Sequence, residues 1–546
     1  MRDVLQGNGR TAVLILTALW LAIYFPNLWV REFVGTDEPL YAQVGREVLL
    51  DGHWFALTHN GALYCNKPPL YFWIEAILSL PQGDVTEFTA ILPSMLSALG
   101  TVLLVYFLGR RLFNHRAGLL AALIMLTMPQ FHKYGCQARL DVPFSFFITA
   151  SLTAFYYGYT GTGRRKTYIL MAWVFMTLAA MITKGPITFI MVGGVVVSFL
   201  WWRNDLKFLK ETQPLVGGLL LVAIHLVWLI PAYNSGGWEY IDGIIGHFMY
   251  HARTPLGIDK FFFYFSNIFQ GTMPWSLVLP GAVYFYARKT TGESRGTEFA
   301  GMWLLVMIVI FSIILQKFSR YVLPAYPGMA LLLGSFWDEL MEKPPLKGWP
   351  ANRPVITYGL AVFVGFMVAW IFVKAHTHQF HPSPLVISLI AAAVIGLAGT
   401  LWYTFKSKQF RVLFIFILLL TGTFLAVCGR YMYLFDNKDR SEKTMCLKIS
   451  SLMEPGTPWA VYNLYRPAQT FYTNTHPKRV SSQDKVVTFL NGTEKVYCLI
   501  QESEFQTLAS KTDGPLYAIE KIQGPKRKMK NLLLISNKPE KSSLSP

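Results

Sequence analysis

The amino-acid sequence predicts a polytopic α-helical membrane protein that ends in a small soluble α/β domain. Three observations carry this: an apolar excess too large for a soluble fold, a series of bilayer-length apolar runs, and a turn to polar composition near residue 431. The 546-residue chain is 53% hydrophobic and 15% aromatic, with a mean hydropathy of +0.36. Soluble globular domains are less apolar than this. Its 49 Lys and Arg against 31 Asp and Glu give a formal charge of +18. In a membrane protein such an excess marks cytoplasmic connectors and anionic lipid. No finger, P-loop or aromatic–basic RNA motif points to nucleic acid.

The first apolar run, 11–30, follows Arg2 and Arg10 and lacks a small-x-small cleavage site, so it reads as an uncleaved first helix. A polar stretch, 31–83, holds two amphipathic segments at 39–50 and 69–80, too short or too polar to span and better suited to the interface. Further runs lie at 90–109, 116–131, 143–160, 168–183, 186–202 and 214–232. After a long polar loop come 273–287, 299–316, 321–337, 355–374, 384–404 and 412–430. That makes about thirteen spans of roughly membrane length.

Charge orients them. With a cytoplasmic N-terminus, the inner connectors carry Arg110-Arg111, Arg164-Arg165-Lys166 and Arg203 with Lys207 and Lys210. The later ones carry Arg288-Lys289, Lys343 with Lys347 and Arg353, and Lys406 with Lys408 and Arg411. The short outer connectors hold only isolated cations, as the positive-inside rule requires. An odd number of spans puts the tail outside.

From Tyr431 onward short apolar runs (459–462, 495–500, 531–535) alternate with helix-like pieces near 440–453, 483–490 and 502–510. They predict a membrane domain over 1–430 and a periplasmic α/β domain over 431–546. Cys446 and Cys498 share that domain and are candidates for pairing or for unpaired burial; the five cysteines show no zinc spacing.

The candidate chemistry sits on the predicted outer face. Gly35-Thr36-Asp37-Glu38-Pro39-Leu40-Tyr41-Ala42 starts a helix, and its acids suit a helix N-terminus, with Thr36 as a cap. Tyr64-Cys65-Asn66-Lys67-Pro68-Pro69 adds a fixed basic loop. Gln137-Ala138-Arg139-Leu140-Asp141, Thr183-Lys184-Gly185, His247 with His251-Ala252-Arg253, and Gln316-Lys317-Phe318-Ser319-Arg320-Tyr321 follow. Each cation taken alone can snorkel to water at a helix end. Their gathering on one face, with carboxylates, suits transfer from a lipid phosphate carrier: the carboxylate orients or deprotonates an acceptor, and the cations neutralise the leaving phosphate. The histidines at i, i+4 have metal-ligand spacing but no HExxH pattern.

These motifs, with Arg46-Glu47-Val48-Leu49, Gly52-His53-Trp54, Asn66-Lys67-Pro68-Pro69 and Met273-Pro274-Trp275, resemble the bacterial aminoarabinose transferases (ArnT). That family lies within the protein O-mannosyltransferase-like glycosyltransferases of the GT-C type. The likeness covers the membrane part and extends weakly into the tail. It implies an inverting transferase of the bacterial inner membrane, taking a sugar such as 4-amino-4-deoxy-L-arabinose from undecaprenyl phosphate at the periplasmic face. The acceptor implied is lipid A phosphate or another envelope molecule. Asp37 would be the catalytic carboxylate. Lys67, Asp141, Lys184, His251 and Arg253 would line the cavity, Lys317, Arg320 and Tyr321 would lie near the donor phosphate, and Glu38, Tyr41 and Arg139 would complete the binding set.

Two positions depart from the family pattern. Leu40 stands where an Arg is common, and Asn66 where a Glu is common. The first removes a phosphate-binding cation and the second a metal ligand. No motif demands a cofactor, and a divalent metal is left open. The competing readings are a protein O-glycosyltransferase of the same fold and a lipid or ion transporter. Against the transporter stand the lack of an inverted repeat and of paired broken helices.

Overall fold

The structure, a computed structural model, describes residues 9–161, 163–183, 185–252, 260–287, 295–314, 316–342, 409–525 and 531–539, with isolated positions between 396 and 407. The spans predicted at 355–374 and 384–404 lie outside the described residues, isolated positions apart.

In chain order the helices begin with α1 (Gly9–Tyr24), α2 (Asp37–Leu50), α3 (Leu70–Ser79), α4 (Glu87–Leu112), α5 (His115–Leu126) and α6 (Pro129–Gly135). Next come α7 (Asp141–Thr160), α8 (Arg165–Ile182), α9 (Pro186–Trp202), α10 (Pro214–Ala252), α11 (Phe263–Gly271) and α12 (Leu279–Ala287). The series continues with α13 (Arg295–Ile313), α14 (Tyr326–Glu342), α15 (Phe410–Thr423), α16 (Gly429–Arg440), α17 (Lys443–Leu452), α18 (Pro467–Thr473), α19 (Gln483–Leu490) and α20 (Phe505–Ala509). They fall into two compact units. One comprises Met1–Pro26, Cys65–Tyr71 and Ser94–Gly429; the other comprises Asn27–Tyr64, Phe72–Pro93 and Arg430–Pro546.

The first unit is the helical one. Among the described residues of the whole chain, 6 helices are long and apolar enough to cross a membrane: Gly9–Asn27, Glu87–Leu112, Arg165–Ile182, Pro214–Tyr250, Arg295–Ile313 and Phe410–Arg440. Two predicted spans end differently. The run at 116–131 stops at Leu126, because Pro129 lacks the amide a continuing helix needs and Met128 before it is extended (φ −70, ψ 118). The run at 214–232 instead continues as helix to a kink at Gly237 (φ 65, ψ −168), beyond which a second helical stretch runs to Ala252. The polar Asn-Ser-Gly-Gly stretch, expected as loop, ends at that kink. Small residues let helices approach. A Cβ on Gly109 of α4 would stand 2.7 Å from the Gly118 Cα of α5. Between α5 and α14, Arg116 pairs with the buried Asp338, whose other oxygen accepts from Asn114 Nδ2 at 2.7 Å.

The second unit holds a five-stranded sheet of β3 (Trp459–Tyr462), β4 (Lys478–Val480), β5 (Tyr497–Gln501), β6 (Tyr517–Ile522) and β7 (Leu532–Ser536), after a short hairpin of β1 (Thr58–His59) and β2 (Ala62–Leu63). The order is β4-β3-β5-β7-β6, with β3 parallel to β4 and β5, and β7 antiparallel to β5 and β6. Alternation along the strands builds two apolar faces. Met445, Cys446 and Ile449 of α17 pack with Trp459, Val461, Leu499 and Leu534. Val486 and Leu490 of α19 pack with Ala460, Cys498, Ile500 and Ile535 on the other face. Cys446 and Cys498 therefore lie on opposite sides of the sheet and are unpaired, so the candidate pairing is corrected.

Candidate functional site

In the sheet-bearing unit, α2 begins at Asp37, the predicted start, but not by the predicted means. Thr36 holds the N-cap position without a side-chain cap bond. Glu38 anchors the turn instead. It is fully buried, with Arg31 Nη2 donating to Oε1 at 2.7 Å and Oε2 at 2.8 Å, and the Val34 amide donating to Oε2 at 2.9 Å. The Arg31 guanidinium also lies 5.4 Å from the Tyr433 ring centroid. Of the two adjacent acids only Asp37 remains half-exposed.

Further along α2, Arg46 donates to Asp84 Oδ1 at 2.7 Å, to Phe471 O at 2.8 Å and to Val85 O at 3.0 Å, and stacks 4.0 Å over the Phe471 ring. Glu47 organises the hairpin: its oxygens accept from Gln43 Nε2, Thr58 Oγ1 and the Asn60 and Gly61 amides. Because Thr58 spends its hydrogen on Glu47, the His53 Nδ1 bonded to Thr58 Oγ1 at 2.7 Å is the donor of that contact. Asn60 (φ 58) and Gly61 (φ 72) supply the left-handed turn. Burial pushes His59 down to about 4, outweighing nearby Glu47, and Arg479 Nη2 donates to its Nδ1 at 3.3 Å.

Glu47, Asp51 and His53 bring possible ligand atoms within 4.8 Å of one another. Glu47 already accepts four hydrogen bonds and is 2% exposed, so this group does not fit a metal.

Tyr41 is buried, its ring edge-on to Phe72 of α3 at 6.0 Å between centroids.

In the helical unit, two predicted residues far apart in sequence meet. Arg320 Nε lies 3.6 Å from Oδ1 of Asp141, which opens α7. Its guanidinium stands 4.3 Å from the Phe318 ring and 5.6 Å from the Tyr321 ring. Lys317 donates to Phe311 O at 2.9 Å and Ser312 O at 2.6 Å, closing the end of α13, and sits 5.3 Å from the Tyr264 ring. Sequence reasoning missed the neutral residues that hold this loop. Gln130 Nε2 donates to Ser319 O at 2.6 Å, Tyr134 shares a 2.7 Å bond with Ser319 Oγ, and the Tyr264 hydroxyl donates to Phe318 O at 3.2 Å. Lys67 is half-buried before the buried Pro68 and Pro69, and Arg139 is half-buried with its carbonyl accepting from Ser94 Oγ. Lys184, Arg253 and the His251 side chain lie outside the described residues.

The family model for dolichyl-phosphate-mannose-protein mannosyltransferase matches residues 66–230. An uncharacterised protein of Aquifex aeolicus is 29% identical over 317 residues, covering 58% of this chain and 62% of that one. An undecaprenyl phosphate-alpha-4-amino-4-deoxy-L-arabinose arabinosyl transferase of Pseudomonas aeruginosa (strain UCBPP-PA14) is 27% identical over 413 residues, covering 72% of this chain and 71% of that one. The crystal structure of ArnT from Cupriavidus metallidurans bound to undecaprenyl phosphate superimposes with a TM-score of 0.78 at 17% identity, over 99% of this chain and 100% of that one. Its apo form gives 0.75 at 17% identity, over 97% and 99%. The fold is shared.

Proposed function

We propose that this chain, an ArnT-like protein of the GT-C glycosyltransferase fold, transfers 4-amino-4-deoxy-L-arabinose or a related aminosugar from undecaprenyl phosphate to an envelope acceptor, with lipid A phosphate as the leading acceptor. The observation that carries the reading is the first turn of α2. Arg31 commits the buried Glu38 to the fold, and Asp37 beside it is the half-exposed carboxylate at the start of α2. The names of the relatives and the undecaprenyl phosphate bound by the Cupriavidus protein supply the donor class.

In an inverting transfer the acceptor oxygen attacks the anomeric carbon from the face opposite the carrier. The bond from that carbon to the carrier phosphate oxygen breaks, and its electron pair leaves with undecaprenyl phosphate. Cations at the departing phosphate stabilise the developing charge. Arg320 and the remaining N–H of Lys317 suit that task. A lipid A phosphate is already ionised, so Asp37 orients it; a hydroxyl acceptor would need Asp37 as a base. The basic inner connectors support a cytoplasmic N-terminus, a periplasmic C-terminal domain and chemistry at the periplasmic face of the inner membrane. The match to a protein mannosyltransferase family keeps a protein hydroxyl as the second acceptor reading.

The test is turnover of undecaprenyl-phosphate aminoarabinose with lipid A by purified wild type and Asp37→Asn, with melting as the folding control. Asn preserves shape and much of the capping capacity. The rate should fall on the order of a hundredfold or more in a folded protein. Near-normal turnover removes Asp37 from the mechanism.

A further inference from the structure

Asp37, Tyr41 and Gly45 follow one another four residues apart, so they share one face of α2. That face meets α3. Tyr41 stands against Phe72, and one turn further along α3 the carboxyl of Glu75 reaches the backbone of Gly45. A Cβ built on Gly45 would fall 2.5 Å from Glu75 Oε2 and 2.8 Å from its Cδ. The carboxyl thus occupies the space that a side chain at position 45 would take, and a methyl there would have to displace it.

Glu75 is fully buried, and among the described residues neither of its oxygens has a hydrogen-bond partner. Burial holds its carboxyl well above the usual carboxylate range, and no charged group adds to the effect. On α2, Glu38 is committed to Arg31, Arg46 to Asp84, and Glu47 to the hairpin. Glu75 is itself the one charged residue type within Leu70–Ser79. A glycine inside a helix and a buried acid without a partner are each unfavourable for stability. Two such choices facing each other point to a task other than packing.

We propose that Glu75 is a positioning residue that acts through the Gly45 notch to fix where α2 carries Asp37 and Tyr41. The inference rests on the catalytic reading of Asp37. Seated in the notch, the carboxyl keeps α2 from sliding or rolling on α3. Ionising it would put an unpaired charge into an apolar contact. The two helices would separate, and displacement of a reacting group by about an ångström is enough to cost much of the rate.

The experiment uses the full-length protein, with undecaprenyl-phosphate aminoarabinose and lipid A as probes, and follows kcat, donor KM and melting from neutral to alkaline pH. Gly45→Ala should lower kcat on the order of tenfold with donor KM within about twofold of wild type. Adding Glu75→Ala to Gly45→Ala should bring kcat to that of Glu75→Ala alone, because the clash is gone and only the lost anchor remains. Glu75→Gln, the neutral isostere, should rescue what Glu75→Ala alone loses, and its rate should persist to higher pH than that of wild type. An alkaline decline of Glu75→Gln identical to that of wild type overturns the proposal. So does a Gly45→Ala defect that Glu75→Ala leaves untouched. If Gly45→Ala does not fold, the Glu75→Gln profile decides. Normal turnover of Asp37→Asn would instead refute the reading of Asp37, while the coupling of Gly45 and Glu75 is read separately from kcat.

Discussion

Removing the Glu38 carboxylate separates a residue that serves the fold from one that serves the substrate. The Glu38 and Arg31 side chains are 1% and 3% exposed, so the pair has almost no help from water. Glu38→Ala removes both bonds from Arg31 and the acceptor of the Val34 amide. Breaking a buried ion pair from one side costs about 3–5 kcal/mol. The stranded amide adds ~1 kcal/mol, only partly independent of the first loss. The Tyr433 ring at 5.4 Å recovers a fraction through its π face. A net loss of about 4 kcal/mol is expected, a large share of the roughly 5–15 kcal/mol that holds a domain folded. Replacing both partners by apolar residues, Arg31→Met with Glu38→Leu, should recover most of it. The assay is denaturant unfolding in detergent beside turnover normalised to folded protein. Wild-type unfolding of Glu38→Ala together with a donor KM raised about tenfold would refute the structural role and return Glu38 to the substrate.

His59 sets an acid limit. Its folded pKa of about 4 lies below the unperturbed 6.5, so the unfolded chain binds the proton more readily. Its contribution is complete above about pH 6.5 and is lost as pH falls toward 4, by ~3 kcal/mol at most. His59→Gln should flatten that limb of the melting curve, and an unchanged slope refutes the assignment. Arg320→Lys keeps the charge but loses the planar stack over Phe318, and should lower kcat/KM for the lipid donor roughly tenfold; unaltered kinetics would take Arg320 away from the phosphate. Reporter fusions after Arg165 and after Asp436 should report opposite compartments, and one shared compartment would refute the orientation.

The fold was legible wherever burial imposes a single long pattern. The apolar runs at 90–109, 168–183 and 299–316 fall within α4, α8 and α13 or exceed them by a few residues, and the short runs at 459–462 and 531–535 became β3 and β7. Weak patterns escaped. β4 is three residues with two exposed, and β6 interleaves Glu520 and Lys521 with its apolar positions, so neither stood out from loop. Helix ends depended on single residues: Pro129 stopped one run early, while Gly237 marks a kink between two helical stretches where a loop was expected.

At the candidate site the charges were legible and their partners were not. Asp37 and Glu38 are adjacent acids in one helical turn, and nothing in their sequence ranks one above the other. The ranking comes from Arg31, seven residues earlier, which folds back and donates to both oxygens of the buried Glu38 carboxylate. Arg320 and Asp141 each looked like a lone charge at a helix end, where snorkelling to water is the ordinary fate. Their approach depends on α7 and the turn at Ser319–Ala325 being neighbours, a tertiary fact. Gln130, Tyr134 and Tyr264 gave still less signal, since a neutral polar residue in an apolar run has many uses. Their bonds to Phe318 and Ser319 show which use was taken. Glu38 and Arg46 are neutralised by close partners. Among the described residues the buried Glu75 carboxyl has none.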